Sequence, residues 1–205
     1  MITDSDSNKE FHNALGALSP CDLHKWTETS RARIALSRFL AGPIPVRKCL
    51  SSFVSVTIRV KDFKRDLHSF FENREGMYVH KTFVDELLSR ASAHVMMQDT
   101  TVSYAPVVQE GYDTELMAEM PTSCLFGSLE SFLLFLSFLI ERQWGGEKGH
   151  LHVNGLATVF YVTMNCEILV VHVYYDKNRW ELYVNEPDDN EWEEGTRVYS
   201  RAVSS

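Results

Sequence analysis

The stretch EILVVHVYYDKNRWELYVNE, residues 167–186, alternates so regularly that it dictates its own pairing. Apolar side chains recur at every second position on both sides of a polar break at 176–179, which is the period of a strand. Closing the break with a two- or four-residue turn sets Tyr175 opposite Trp180, Val173 opposite Leu182 and Val171 opposite Val184. Those six side chains form one wholly apolar face. The other face carries His172, Tyr174, Glu181, Tyr183 and Asn185, with His172 across from Tyr183 and diagonal to Asn185. A hairpin of this kind demands a second layer to cover its apolar side.

The run PTSCLFGSLESFLLFLSFLIERQWGG, residues 121–146, is the natural cover. Its pattern predicts a helix over about 123–142. Leu125, Phe126, Leu129, Phe132, Leu133, Leu136, Leu139 and Ile140 share one side at 100° per residue. Cys124, Gly127, Ser128 and Ser131 fall opposite, small enough to admit a close neighbour. The apolar part spans ~24 Å of helix against a hydrocarbon thickness of ~30 Å. Glu130 near its middle would cost several kcal/mol in lipid. The expectation is a buried core helix and no membrane association.

The remaining segments complete a provisional layout. FVSVTIRV at 53–60 reads as a half-buried strand, and helices are expected at 22–40, 62–73 and 82–97, the last with Thr82 and Asp85 as a capping box. A short strand is expected at 102–108. Downstream of the core helix, Asn154-Gly155 signals a type I′ hairpin, Asn165-Cys166 a second reversal, and 196–202 a last strand. The expected class is therefore α+β, with a helical N-terminal half containing one early strand. The long buried helix would pack on a C-terminal antiparallel β-meander of four to five strands. Residues 1–8 read as a polar tail and 9–205 as a single domain, with a possible subdivision into 9–100, mainly helical, and 101–205.

Charge narrows the function classes. The net charge is −8, and it is unevenly spread: residues 1–100 carry 14 Lys/Arg against 12 Asp/Glu, whereas 101–205 carry 6 against 16. An acidic half repels a phosphate backbone, so nucleic acid is not an expected partner. Arg31, Arg33, Arg38, Arg59, Lys61, Lys64 and Arg65 are the only basic positions clustered enough for it, and interleaved acids make them read as solvated helix faces. Glycine-rich phosphate loops, GxSxG, HExxH and GxGxxG motifs do not occur, and no cofactor is expected. The four cysteines, Cys21, Cys49, Cys124 and Cys166, are widely spaced without a CxxC pair, and the polar start MITDSDSNKE lacks a signal-peptide pattern. Together these lead to an expected cytoplasmic location with reduced thiols.

Three candidate sites follow. Residues 186–194 hold six carboxylates among nine positions and lie beside aromatic residues. The run fails the EF-hand pattern, since Trp192 and Glu193 stand where an oxygen ligand and glycine are needed. It reads instead as a surface for another protein with a basic face, comprising Trp180, Tyr183, Glu186, Asp188, Asp189, Glu191, Trp192, Glu193 and Glu194, with Tyr199 close by. The protein would then be a non-enzymatic inhibitor, immunity factor or regulatory subunit. Alternatively, Cys124 at a helix start, then His172 and Asn185 on successive strands, resembles the chain order of papain-like thiol hydrolases. That resemblance implies Cys124 as nucleophile, His172 as base and Asn185 as orienting residue, although TSCLFG departs from the family's local signature. His150 and His152 form an HxH pair that would need a third metal ligand. A structural subunit of a larger assembly is a further reading.

Overall fold

The hairpin is present with the register read from the alternation. Strand β8 (Glu167–Asp176) pairs antiparallel with β9 (Arg179–Asn185), with His172 opposite Tyr183, Val173 opposite Leu182 and Tyr175 opposite Trp180. Lys177 and Asn178 close it at φ 48° and 62°, as a two-residue type I′ turn requires. The computed structural model describes residues 48–58, 63–92, 94–96, 100–120, 126, 128–164, 167–187 and 190–201. All of these fall in one unit, 47–205.

Around the hairpin a seven-stranded mixed sheet is built, and among the described residues strand, not helix, dominates. Its members are β1 (Val54–Ile58), β3 (Met77–Val79), β5 (Thr100–Pro106), β7 (Thr158–Met164), β8, β9 and β11 (Arg197–Arg201), in the order β1-β5-β11-β7-β8-β9-β3. Two short ladders stand apart: β2 (Lys64–Asp66) with β4 (His94–Met96), and β6 (Gly111–Tyr112) with β10 (Glu191–Trp192). This overturns the expected antiparallel meander behind a helical first half. Strand β11 runs parallel to β7 and antiparallel to β5, and β3 runs parallel to β9. Such pairings join segments far apart in sequence and leave no turn signal to read.

The helical expectations fail for local reasons as well. The helix expected at 22–40 lies outside the described residues. Where one was expected at 62–73, β2 is followed by a single turn, α1 (Leu67–Phe70), capped by Asp66. Where one was expected at 82–97, α2 (Lys81–Glu86) gives way to a 3₁₀ turn, Leu88–Arg90, and then to β4. His80, not Thr82, is the cap of α2: its Nδ1 accepts from the Thr82 amide at 3.3 Å. The Thr82 hydroxyl oxygen instead accepts from Val184 N at 3.3 Å and ties the helix to β9. Asn154-Gly155 does turn, with Gly155 at φ 85°, but no hairpin results. The preceding segment is engaged elsewhere, since Gln143 grips both polar groups of Leu151 and His152 N donates to Thr158 Oγ1.

The core helix α4 spans Leu129–Arg142, starting six residues later than expected. Phe126 is committed to the sheet alongside β7: its N donates to Tyr161 O at 3.1 Å and its O accepts from Thr163 N at 2.9 Å. Ser128 then caps the helix, its side chain accepting from Ser131 N. Nine of the fourteen residues are buried, against Phe160, Val162, Val171, Val173, Leu182 and Tyr199 of the sheet. At ~21 Å the helix is short of a bilayer, and among the described residues no helix is long and apolar enough to cross a membrane. Phe160 sits at the centre, stacked on Tyr199 at 5.1 Å and packed on Phe132 at 5.5 Å.

The second face of the sheet is covered only in part. Over Ala105, Val159, Tyr161, Val170 and Val198 lie Leu50, Trp192 and, from α3 (Asp113–Ala118) and the turn after it, Leu116 and Met120. Beyond Val170 the cover ends, and the outer parts of β8, β9 and β3 present polar and aromatic side chains.

Phe160 is fully buried among rings from both layers, so truncating it leaves a cavity that neither layer can close. Phe160→Ala is expected to lower unfolding free energy by about 3–5 kcal/mol, read as a fall in the urea midpoint without a change in slope.

Candidate binding face

Strand periodicity delivers the site. His172, Tyr174 and Asp176 alternate along β8, and Arg179, Glu181, Tyr183 and Asn185 along β9, all on the incompletely covered face. Parallel pairing with β9 brings Tyr78 of β3 beside Glu181, and His80 follows it. His80 and His172 flank the Tyr183 ring, with centroids 5.3 and 5.2 Å away and planes within 31° and 29° of it. Tyr174 stands nearly perpendicular to Tyr183, 6.2 Å away at 79°. Together with Gly155, Asp176 and Glu181, the side chains of His172, Tyr174 and Tyr183 line an open concavity of about 380 Å³.

Polar contacts hold the face in shape. Tyr183 OH donates to Glu181 Oε2 at 2.8 Å, and Arg179 binds the other carboxylate oxygen at 2.7 Å through Nε. The Arg179 guanidinium also lies over the Tyr78 ring at 5.2 Å. At the inner edge, Trp192 packs edge-on against His172 at 5.4 Å. Its indole Nε1 donates to Asp113 Oδ1 at 2.6 Å, and Tyr161 OH donates to the same oxygen at 2.7 Å. Asp113 is completely buried. A carboxylate so placed is tolerated only when hydrogen-bonded, and its position in the first turn of α3 favours its charge further. Because Trp192 belongs to β10, this anchor sets the acidic segment against the face.

Burial determines the charge state. His172 is only 6% exposed, and desolvation pulls its pKa down to about 4, with Asn185 opposing the shift and the charge of His80 adding to it. Its Nδ1 lies 3.4 Å from Tyr174 OH, and its Nε2 is sealed without a hydrogen-bond partner. The Tyr183 phenol is pushed up to about 12 by burial and by Glu181. Tyr174 is raised by burial and by the Glu193 charge. Near neutral pH the floor is therefore uncharged His172 and intact phenols, with carboxylates at its border.

The expected site residues separate into groups. Tyr183 is central, and Glu186, Glu191, Glu193 and Glu194 are exposed. Trp192 is a buried anchor instead of an exposed contact. Trp180 and Tyr199 are fully buried in the α4-side core, Trp180 against Tyr175 at 4.9 Å. Asp188, Asp189 and Cys124 lie outside the described residues. Since α4 begins at Leu129, its dipole no longer supplies the reason for an activated thiol at Cys124, while His172 and Asn185 do share one face. His150 and His152 are elsewhere, beside Arg197, whose Nη1 donates to the carbonyls of Gly149 at 3.2 Å and of His150. Burial and that guanidinium hold both imidazoles below their usual range, and a neighbouring cation opposes a metal ion. Among the described residues no three His, Cys, Asp or Glu side chains group as a metal site. Arg65 is paired with Glu141 at 2.6 Å. Tyr78, His80 and Asp113 were not anticipated, because each reaches its place through a non-local contact.

Compared with protein-family models, with curated proteins and with solved structures, the chain matches none.

His172 gives a pH signature. Unfolded, it takes a proton near pH 6.5; folded, it does so only near 4. The unfolded state thus binds more protons in between, and stability falls as pH drops through that window, by up to ~3 kcal/mol. His172→Phe is expected to remove this component, measured as the difference in urea midpoint between pH 7 and pH 4.5. Separately, Trp192→Phe keeps a ring but deprives Asp113 of a donor. It is expected to cost about 1–3 kcal/mol, read by the same denaturation.

Proposed function

We propose that this chain is a non-enzymatic protein-binding protein of the inhibitor, immunity or regulatory-subunit type. It receives a basic partner surface on the outer part of β8 and β9 and on the adjoining acidic loop. The observation that carries the reading is the incompletely covered sheet face, with the half-buried rings of Tyr78, Tyr174 and Tyr183, together with the exposed Glu186, Glu191, Glu193 and Glu194, of which Glu193 is near enough to act on Tyr174. Aromatic rings surrounded by a polar rim are what protein interfaces favour. Like-signed carboxylates around them steer an oppositely charged partner and speed encounter. We place the protein in the cytoplasm on the wide spacing of its cysteines, none of which forms a CxxC pair.

The test uses Glu191→Lys, Glu193→Lys and Glu194→Lys together, all at exposed positions. The wild-type chain is expected to retain a stoichiometric basic protein from lysate of its source cells at low ionic strength. The triple variant is expected to associate with that protein about tenfold more slowly or worse, with circular dichroism unchanged. A retained partner whose association rate is indifferent to both salt and the triple reversal would refute the reading.

A further inference from the structure

The concavity on the binding face has walls and a rim that define what enters it. Tyr174 stands at 79° to Tyr183, whose ring is itself flanked by His80 and His172, so the ring contact with a guest falls to Tyr174. Asp176 lines the same space, its side chain 52% exposed and 3.6 Å from the exposed Lys177 Nζ. Glu181, at the base, has its two oxygens taken by Tyr183 and Arg179. Its charge is already balanced by Arg179, so Asp176 is the carboxylate that pairs with a cationic guest.

We propose that this concavity receives an arginine side chain of the partner protein, its guanidinium laid on the Tyr174 ring beside Tyr183 and paired with Asp176. The inference rests on the reading of this face as the docking site of a basic partner. Three observations favour that guest. First, the face already makes the same arrangement with its own residues: Arg179 lies over Tyr78 and binds Glu181 through both Nε and Nη2. Secondly, the buried imidazole of His172 leaves no exposed donor in the floor to oppose a cationic guest. Thirdly, the site is broad and open, which suits a delocalised, weakly hydrated fork more than a compact, strongly hydrated ammonium. Carboxylates at the rim exclude phosphates, and they leave an aliphatic guest with desolvated charges at its side.

The proposal is tested on the whole chain by following the aromatic signals of Tyr174 and Tyr183 by NMR during titration with N-acetyl-arginine amide. Parallel titrations use N-acetyl-lysine amide at matched ionic strength. Saturable shifts are expected for the arginine probe in the millimolar range, with affinity at least about threefold above the lysine probe. Tyr174→Phe keeps the ring and is expected to bind like wild type. Tyr174→Leu is expected to abolish the response, and Asp176→Asn, at an exposed turn, to weaken it about fivefold. No saturable response to arginine, an equal response to lysine, or an unchanged response in Tyr174→Leu or Asp176→Asn overturns the proposal. The two readings fail separately. A basic partner that binds Tyr174→Leu and Asp176→Asn as tightly as wild type removes the arginine pocket and leaves the docking face standing. Indifference to the acidic-loop reversal removes the docking face itself.

Discussion

The second layer of this protein depends on one buried carboxylate. Asp113 Oδ1 accepts from the Tyr161 phenol and the Trp192 indole, and each donor comes from a different part of the sheet's surroundings. Tyr161 projects from central strand β7; Trp192 belongs to the two-residue strand that follows the acidic loop. Through Asp113 the short helix α3 is tied to both. Both donors help offset the cost of burying the Asp113 carboxyl, so it favours the arrangement of strand, helix and loop that keeps them in place. A second carboxylate acts in the same layer: Glu119, just beyond α3, accepts from the amides of Cys49 and Leu50 and holds the entering chain down.

That arrangement explains why the binding face looks as it does. Cover on this side is thin, consisting of α3, a few residues around Leu50 and the Trp192 anchor. It suffices for the middle of the sheet and stops at His172. There the residue type changes with the environment: aliphatic side chains at Val159 and Val170 give way to His172, Tyr174 and Tyr183, whose rings tolerate one wet edge. Trp192, and with it Glu191 on the same short strand, is held at the edge of this face by that anchor.

Local signals were the legible ones. The β8–β9 register, the two faces of that hairpin and the membership of His172, Tyr174, Glu181 and Tyr183 on one of them all follow from period-two alternation around a short turn. The same alternation assigns Trp180 to the opposite, apolar face, which is why it is unavailable as a surface contact. The long helix was legible as a helix, but its start was not, because Phe126 serves the sheet and the apolar run gives no mark where the chain changes use. Parallel neighbours such as β3 and β11 were not legible: no turn links them to β9 or β7, and only the assembled sheet shows where they go. His80 and Tyr78 come to the site by that route, and Asp113 by packing alone.

Strand β11 is last in chain order yet central in the sheet, with β1 and β5 on one side and β7, β8, β9 and β3 on the other. Both halves present a raw inner edge until residues 197–201 arrive to pair with β5 and β7 at once. Were residues 197–201 withdrawn, β5 and β7 would each show an unpaired edge, a template for another chain. The strand that joins the two halves of the sheet is thus also what shields both from misassociation.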